Sequence, residues 1–471
     1  MLRRLCTGAR PPSKGFRFLA LFSVAALSGC AERPIPVATV PPRPLGRDIP
    51  AYQPAPTDSG RPDGPQIQKP TGTLALRDAV ALALMYSPEL AAFAWETRAR
   101  EARILQAGRP PNPVLGVLAE DLGASRLSGA GLVQPQATIQ LSQLIELGGK
   151  RTARENLATQ ERDLAAWDYE TARIDVLTRV TRAYIDVLAA QEFLTLTNQT
   201  MDLGEQVQRS VTARVVAGRV SPIEQTRAEV ALASTRVEST RATRALDAAR
   251  RQLAALWGSS EATFQSVAGS LDIAPVLPAM ETLQTRVVES PDLARWASEI
   301  SRRQAALALE QAKGVPDVSV TAGYRRFTDI DSNALLIGGS VALPIFDRNR
   351  GGIAEASTRL AKAYEERRAA QARVTTALAE SYRALSTAYD EINVLRTAVL
   401  PGARQTFEAV NEGYRLGRFG YLEVLDVQRT LVAAGAQSLR ALGDYHKAVA
   451  DVERLIGAPL NAGPTASPVV P

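Results

Sequence analysis

Apolar residues recur along this chain with two periods, and the succession of those periods is written twice. Gly218-Arg219 returns as Gly417-Arg418 and Trp257-Gly258 as Ile456-Gly457, both at an offset of 199 residues. Each copy opens with helical spacing, over Leu74 to Tyr86 or Ala279 to Glu289. A second helix begins at Ser87-Pro88 or Ser290-Pro291, because serine caps the free amides of a first turn and proline suits a position that needs no N–H. It runs to about Gln106 or Lys313. Period two follows. In residues 134–143, Gln134, Gln136, Thr138, Gln140 and Ser142 alternate with Ala137, Ile139 and Leu141; in residues 317–327, Val318, Val320, Ala322 and Tyr324 alternate with Ser319, Thr321, Gly323 and Arg325. Residues 113–122 and 334–345 alternate less cleanly. The pattern predicts two strands per copy, each with a polar and an apolar face.

After Gly148-Gly149 and Gly351-Gly352 the helical period returns, to about Val216 and Leu416, with Pro401 as a candidate break. Some 65 residues at a rise of 1.5 Å reach on the order of 100 Å. Leu378, Tyr382, Leu385, Tyr389, Ile392 and Val399 keep the step of a coiled-coil seam. Each long helix turns at a glycine and returns, over Pro222 to Leu256 and Tyr421 to Leu455. The fold class is mainly α with a small β part: a long coiled-coil hairpin carrying a two-stranded hairpin, built as repeats over 71–257 and 280–457. Residues 258–279 read as an irregular linker and 458–471 as a disordered tail. Tandem copies imply that neither buries its apolar face alone.

A strand of about ten residues with polar side in and apolar side out is a weak signature of an outer-membrane barrel, although any one such segment reads equally as a soluble sandwich strand. Four strands cannot close a barrel in lipid, where an open edge leaves backbone groups unpaired. Two chains would give eight strands and three would give twelve; with helices this long attached, a trimeric twelve-stranded barrel continued by a helical tube is the more natural closure. Gln136, Thr138, Gln140, Thr321 and Arg325 would then line the barrel lumen.

The ends change the picture of charge. Residues 1–30 place Arg3, Arg4, Arg10, Lys14 and Arg17 before the apolar run from Phe18 to Leu27, the form of an export signal. Removing them takes away five cations and no acid, so the formal charge falls from +6 to about +1. The basic balance belongs to the leader, and no basic patch with interleaved aromatics points to nucleic acid. Leu27-Ser28-Gly29-Cys30 resembles a bacterial lipobox, whose cysteine becomes the lipidated first residue, and Ala31 after it favours the outer membrane. Residues 31–70 are proline-crowded and read as an extended tether. With Cys6 lost and Cys30 lipidated, no disulfide is expected; with one histidine, His446, on an apolar stripe, neither is a metal site. No nucleophile–base pair or phosphate-cradling loop suggests an enzyme. No cofactor is expected beyond the lipid on Cys30.

Three motifs together carry a specific resemblance: residues 141–151 (Leu-Ser-Gln-Leu-Ile-Glu-Leu-Gly-Gly-Lys-Arg), 343–351 (Leu-Pro-Ile-Phe-Asp-Arg-Asn-Arg-Gly) and 414–427 (Tyr-Arg-Leu-Gly-Arg-Phe-Gly-Tyr-Leu-Glu-Val-Leu-Asp-Val). With the Ser-Pro-Glu-Leu and Pro-Asn-Pro segments, they make residues 71–457 resemble the TolC-type outer-membrane factors, nearer the lipoprotein branch with heavy-metal-efflux and NodT-like members. Leu144 departs from a common proline. The resemblance implies a homotrimer whose barrel lies in the outer membrane and whose helical tunnel lies in the periplasm. Its partners would be a periplasmic adaptor and an inner-membrane pump, of RND type, and solutes would pass through it passively. The other readings are a lipid-anchored coiled-coil scaffold with no pore and the exit duct of a type I protein secretion system.

The hairpin tips hold the candidate functional residues. Gly218, Arg219, Gly417 and Arg418 sit at the turns, where glycine ends a helix in the left-handed conformation; the resemblance adds adaptor docking. Ser221, Pro222 and Glu224 have the spacing of a capping box, and Gly420 and Glu423 take the same places in the second copy. The resemblance matches Tyr414, Glu423 and Asp426 to a network that closes the periplasmic end, and Glu224 at the first tip is taken as a gate residue with them. Glu423 and Asp426, three apart, share a helix face, and three chains would gather six carboxylates into a ring attracting cations. Phe419 stands where some family members carry an arginine.

Overall fold

The computed structural model describes residues 40–54, 70–120, 135–271, 277–288, 290–327 and 331–460, all within one compact unit, 38–471. The leader, Cys30 and residues 461–471 lie outside them. Two short helices, α1 (Leu76–Tyr86) and α2 (Pro88–Ala107), precede the first strand pair, β2 (Val114–Glu120) and β3 (Gln136–Ile145). The long hairpin of the first copy is α3 (Lys150–Val216) and α4 (Pro222–Ala255). The second copy runs α5 (Met280–Val287), α6 (Pro291–Lys313), β5 (Val318–Phe327), β6 (Ser332–Val341), α7 (Arg350–Val394), α8 (Leu400–Arg415) and α9 (Tyr421–Ile456). The Ser-Pro starts form as expected: Ser87 Oγ accepts from the Leu90 amide and Ser290 Oγ from the Leu293 amide, at 3.4 and 3.3 Å, with proline in the first turn. Among the described residues no helix is long and apolar enough to cross a membrane.

The four amphipathic strands form one antiparallel sheet in the order β2-β3-β5-β6, with the two copies joined at β3–β5. Register places Thr138 beside Arg325 and Ser142 beside Thr321 on one face, and Ile139 beside Tyr324 and Leu141 beside Ala322 on the other. The polar positions are the less exposed, with Thr138 buried, whereas Val117, Leu335 and Ile337 are 73 %, 84 % and 85 % exposed. Along β3 and β5 the polar face is therefore the more enclosed, as the concave side of a curled sheet is, and the opposite, convex face is apolar. β2 and β6 are open edges. β6 lies at 332–341 instead of 334–345: Pro344 has no amide for the ladder, and inward Ala334, Leu336 and Gly338 blur its alternation.

Several expectations are corrected. The second long helix begins at Arg350, ahead of Gly351-Gly352, because Asn349 takes the left-handed turn itself (φ 55°) and its side-chain amide donates to the Glu310 carbonyl at 2.8 Å. In the first copy Gly148 and Gly149 make the corresponding corner at φ 68° and 72°; a Cβ on Gly148 would meet Val315 at 2.7 Å. At Pro401 the chain stays helical, but regular α-helix is interrupted just before the proline. α7 passes into α8 through a π-turn, Leu395–Val399, in which the Leu400 amide donates to the Leu395 carbonyl. That turn absorbs one extra residue, so Val399 is exposed, and the seam resumes at Leu400, Ala403, Phe407, Val410 and Tyr414.

Residues within the linker also order. β1 (Gly72–Leu74) pairs in parallel with β4 (Phe264–Val267), and the buried rings of Phe264 and Trp257 stand 6.2 Å apart. At the N-terminal side, residues 40–54 are bound along α3 in place of a free tether. The Arg43 amide donates to Glu170 at 2.7 Å, and Arg173 donates to the Leu45 carbonyl at 3.0 Å and to Glu170, both charges buried. Within the segment the Arg47 amide donates to Pro44 and the Ile49 amide to Gly46, and the buried pair supplies partners for the Arg43 amide and the Leu45 carbonyl.

Candidate functional site

Both hairpin turns close the same way. At the first, the Gly218 amide donates to Val215 and the Arg219 amide to Arg214, each at 2.9 Å; at the second, Gly417 donates to Tyr414 at 3.0 Å and Arg418 to Gly413 at 2.7 Å. With Gly218 and Gly417 at φ 66° and 78°, these are paired Schellman turns offset by 199 residues, and they leave Arg219 and Arg418 exposed at the tips. Apolar side chains are exposed beside them, with Val216 at 83 % and Leu416 at 62 %.

Just inside the turns a small core joins the two hairpins. Val207 and Val211 of α3, Ala228 of α4, Phe407 and Tyr414 of α8, and Tyr421 and Val424 of α9 pack together, separate from the main core. The π-turn makes this possible, since if the same residues ran as regular α-helix, Thr406 and Gly413 would occupy the places of Phe407 and Tyr414. Arg214 of α3 lies over the Tyr414 ring, its guanidinium carbon 4.2 Å from the centroid. The same group donates to the carbonyls of Tyr414 and Arg415 at 2.8 and 3.0 Å.

Glu224 does not complete a capping box. Ser221 Oγ accepts from the Ile223 amide at 3.4 Å, and Glu224 Oε2 is buried without a hydrogen-bond partner. The side chain turns toward the small core, where Tyr414 Oη is likewise buried and unpartnered. Burial pushes the Tyr414 phenol up; the Arg214 charge opposes this and the Glu224 charge adds to it. Burial, with Tyr414 and Glu224 nearby, also raises Tyr421. Tyr414 and Glu224, named from sequence, thus meet at one site. Glu423 and Asp426 do not join them: both are exposed on the outward side of α9, opposite buried Tyr421 and Val424.

Sequence reading missed Arg214. Its one signal is the offset, which sets Arg214 against Gly413 where most tip residues match in kind. Gly413 has its own reason: Phe419 lies against it, and a Cβ there would meet the ring at 2.4 Å. On the concave sheet face, Arg325 Nε donates to Thr138 Oγ1 at 3.0 Å, and its other end is 3.7 Å from Glu120. Ser142 and Thr321 share a hydrogen bond at 2.9 Å. Gln136 and Gln140 lie on the same face of β3. His446 is half-buried with its ring edge-on to Tyr445 at 5.3 Å; its Nε2 has no partner, and burial lowers its pKa.

The family model described as "Outer membrane efflux protein" matches residues 79–259 and 282–458. The cobalt-zinc-cadmium resistance protein CzcC of Cupriavidus metallidurans is 36% identical over 419 residues, which span 88% of this chain and 98% of that protein. The nickel-cobalt-cadmium resistance protein NccC of Alcaligenes xylosoxydans is 29% identical over 69% of this chain and 71% of its own length. Among solved structures, the open state of the Neisseria gonorrhoeae MtrE outer membrane channel superposes with a TM-score of 0.68 at 18% identity, covering 88% of this chain and 98% of that one.

Proposed function

The chain belongs to the outer membrane efflux protein family, and from that premise we propose that three copies, anchored by lipid on Cys30, close one twelve-stranded barrel and pass divalent metal cations outward. The observation that carries this reading is the open four-stranded sheet, whose central strands β3 and β5 are polar on the enclosed side and whose other side is exposed and apolar. In lipid such a sheet satisfies its two free edges only by pairing with other copies. The concave residues Gln136, Thr138, Gln140, Thr321 and Arg325 then line a wet lumen, and six hairpin tips lie at the periplasmic end. The cargo follows the relatives named for cobalt, zinc, cadmium and nickel. A duct needs no resident ligand set for what it passes, and the exposed Glu423 and Asp426, one turn apart, supply carboxylates that would raise the local cation concentration. The supply side is an RND-type pump in the inner membrane, reached through a periplasmic adaptor that grips the exposed tips at Gly218-Arg219 and Gly417-Arg418.

Planar-bilayer recording of the purified protein tests the duct. Discrete conductance steps with a preference for cations are expected, and Glu423→Ala with Asp426→Ala should lower that preference. A silent bilayer would leave a lipid-anchored scaffold as the better account. Unchanged selectivity in the double variant would remove the carboxylate ring while leaving the duct.

A further inference from the structure

The charge of Arg214 has no carboxylate within ion-pair distance among the described residues. Its guanidinium reaches across to the other hairpin: to the face of the Tyr414 ring at 4.2 Å and to the carbonyls of Tyr414 and Arg415 at 2.8 and 3.0 Å. Those carbonyls belong to the last turn of α8; that of Tyr414 also accepts from the Gly417 amide, so Arg214 is its second donor, and the helix dipole at this end favours a cation. The contact is one-directional. At the place equivalent to Arg214 the second copy has Gly413, whose bare Cα is covered by the Phe419 ring, so the second tip reaches back with no cation of its own.

We propose that Arg214 is the latch of the duct, holding the second hairpin tip against the first by stacking on Tyr414 while capping the end of α8. This rests on the gate reading and sharpens it: the closing bond is a cation held by a ring and two carbonyls within one chain, and the moving part is the α8–α9 tip. The small core behind it gives a firm seat to the ring on which the cation rests. Opening must carry Tyr414 away from the guanidinium, and both then enter water, where each loses less than it would when left buried and unpaired.

The test is single-channel recording of the full-length trimer without adaptor, comparing wild type, Arg214→Ala, Arg214→Lys and Tyr414→Phe, with trimer assembly checked by size-exclusion chromatography. Losing one cation–π contact and two charge-assisted hydrogen bonds between moving parts should raise the open-to-closed ratio about tenfold in Arg214→Ala. Arg214→Lys, which keeps the charge but not the planar fork, should lie between. Tyr414→Phe keeps ring and carbonyls and should stay close to wild type. If Arg214→Ala does not assemble, Arg214→Gln, of similar length and uncharged, takes its place with the same expectation. A ratio in Arg214→Ala equal to wild type overturns the latch, and so does Tyr414→Phe opening as far as Arg214→Ala. If wild type itself shows no steps, the duct reading fails instead.

Discussion

Deleting one residue inside a long helix rotates everything beyond it by about 100°, and at most positions here that would take the seam apart. The π-turn Leu395–Val399 should be the exception. Buried and half-buried residues advance by threes and fours from Leu378 to Ile392 and again from Leu400 to Tyr414, but the step from Ile392 to Leu400 is one residue longer than a heptad. Removing Ala398, together with Pro401→Ala so that no ring meets the carbonyl of the preceding turn, should convert the turn to regular α-helix and keep Phe407, Val410 and Tyr414 in place. Removing Ala409 instead brings Asn411 and Arg415 into the positions of Val410 and Tyr414. Tyr414 is only 3 % exposed, so losing its burial costs about 1.5–3 kcal/mol, and seating a guanidinium there adds roughly 1–3 kcal/mol more. Circular dichroism during urea unfolding, with trypsin cleavage after Arg415 and Arg418 as a local probe, separates the outcomes. The Ala398 deletion should stay within about 1 kcal/mol of wild type, and the Ala409 deletion should lose several. Equal damage from the two would refute the phase account of the π-turn.

Ile337→Lys places a charge on the convex sheet face; if that face meets hydrocarbon, assembly into bilayers should weaken by about 2–4 kcal/mol, whereas a soluble sheet would tolerate it, as vesicle-insertion yields will show. His446 gives a pH signature. Its pKa is lowered from 6.5 by burial, so the unfolded chain takes up the proton first, and stability is full above that value and falls as pH drops toward the folded one. Melting temperatures at about pH 7.5 and about pH 5.5 should therefore differ less in His446→Gln than in wild type.

The sequence by itself determined what depends on neighbours a few residues apart. Alternation in Gln136–Ile145 and Val318–Phe327 marks strands with two faces, Ser87-Pro88 and Ser290-Pro291 start helices, Gly218 and Gly417 turn them, and the offset of 199 residues states the duplication. Capping, turn and period-two signals act through local backbone geometry, so they survive in one dimension. Only the tertiary structure decided the pairing of Gly72–Leu74 with Phe264–Val267, the seating of residues 40–54 on Glu170 and Arg173, and the inward turn of Glu224. It alone brought Arg214 onto Tyr414, 200 residues away. Such contacts join elements whose separate patterns carry no mark of one another. The seam shows the boundary most clearly: its heptad is written in the chain from Leu378 to Ile392, but packing against the first hairpin, through one π-turn, chose Tyr414 over Gly413 to face the tip.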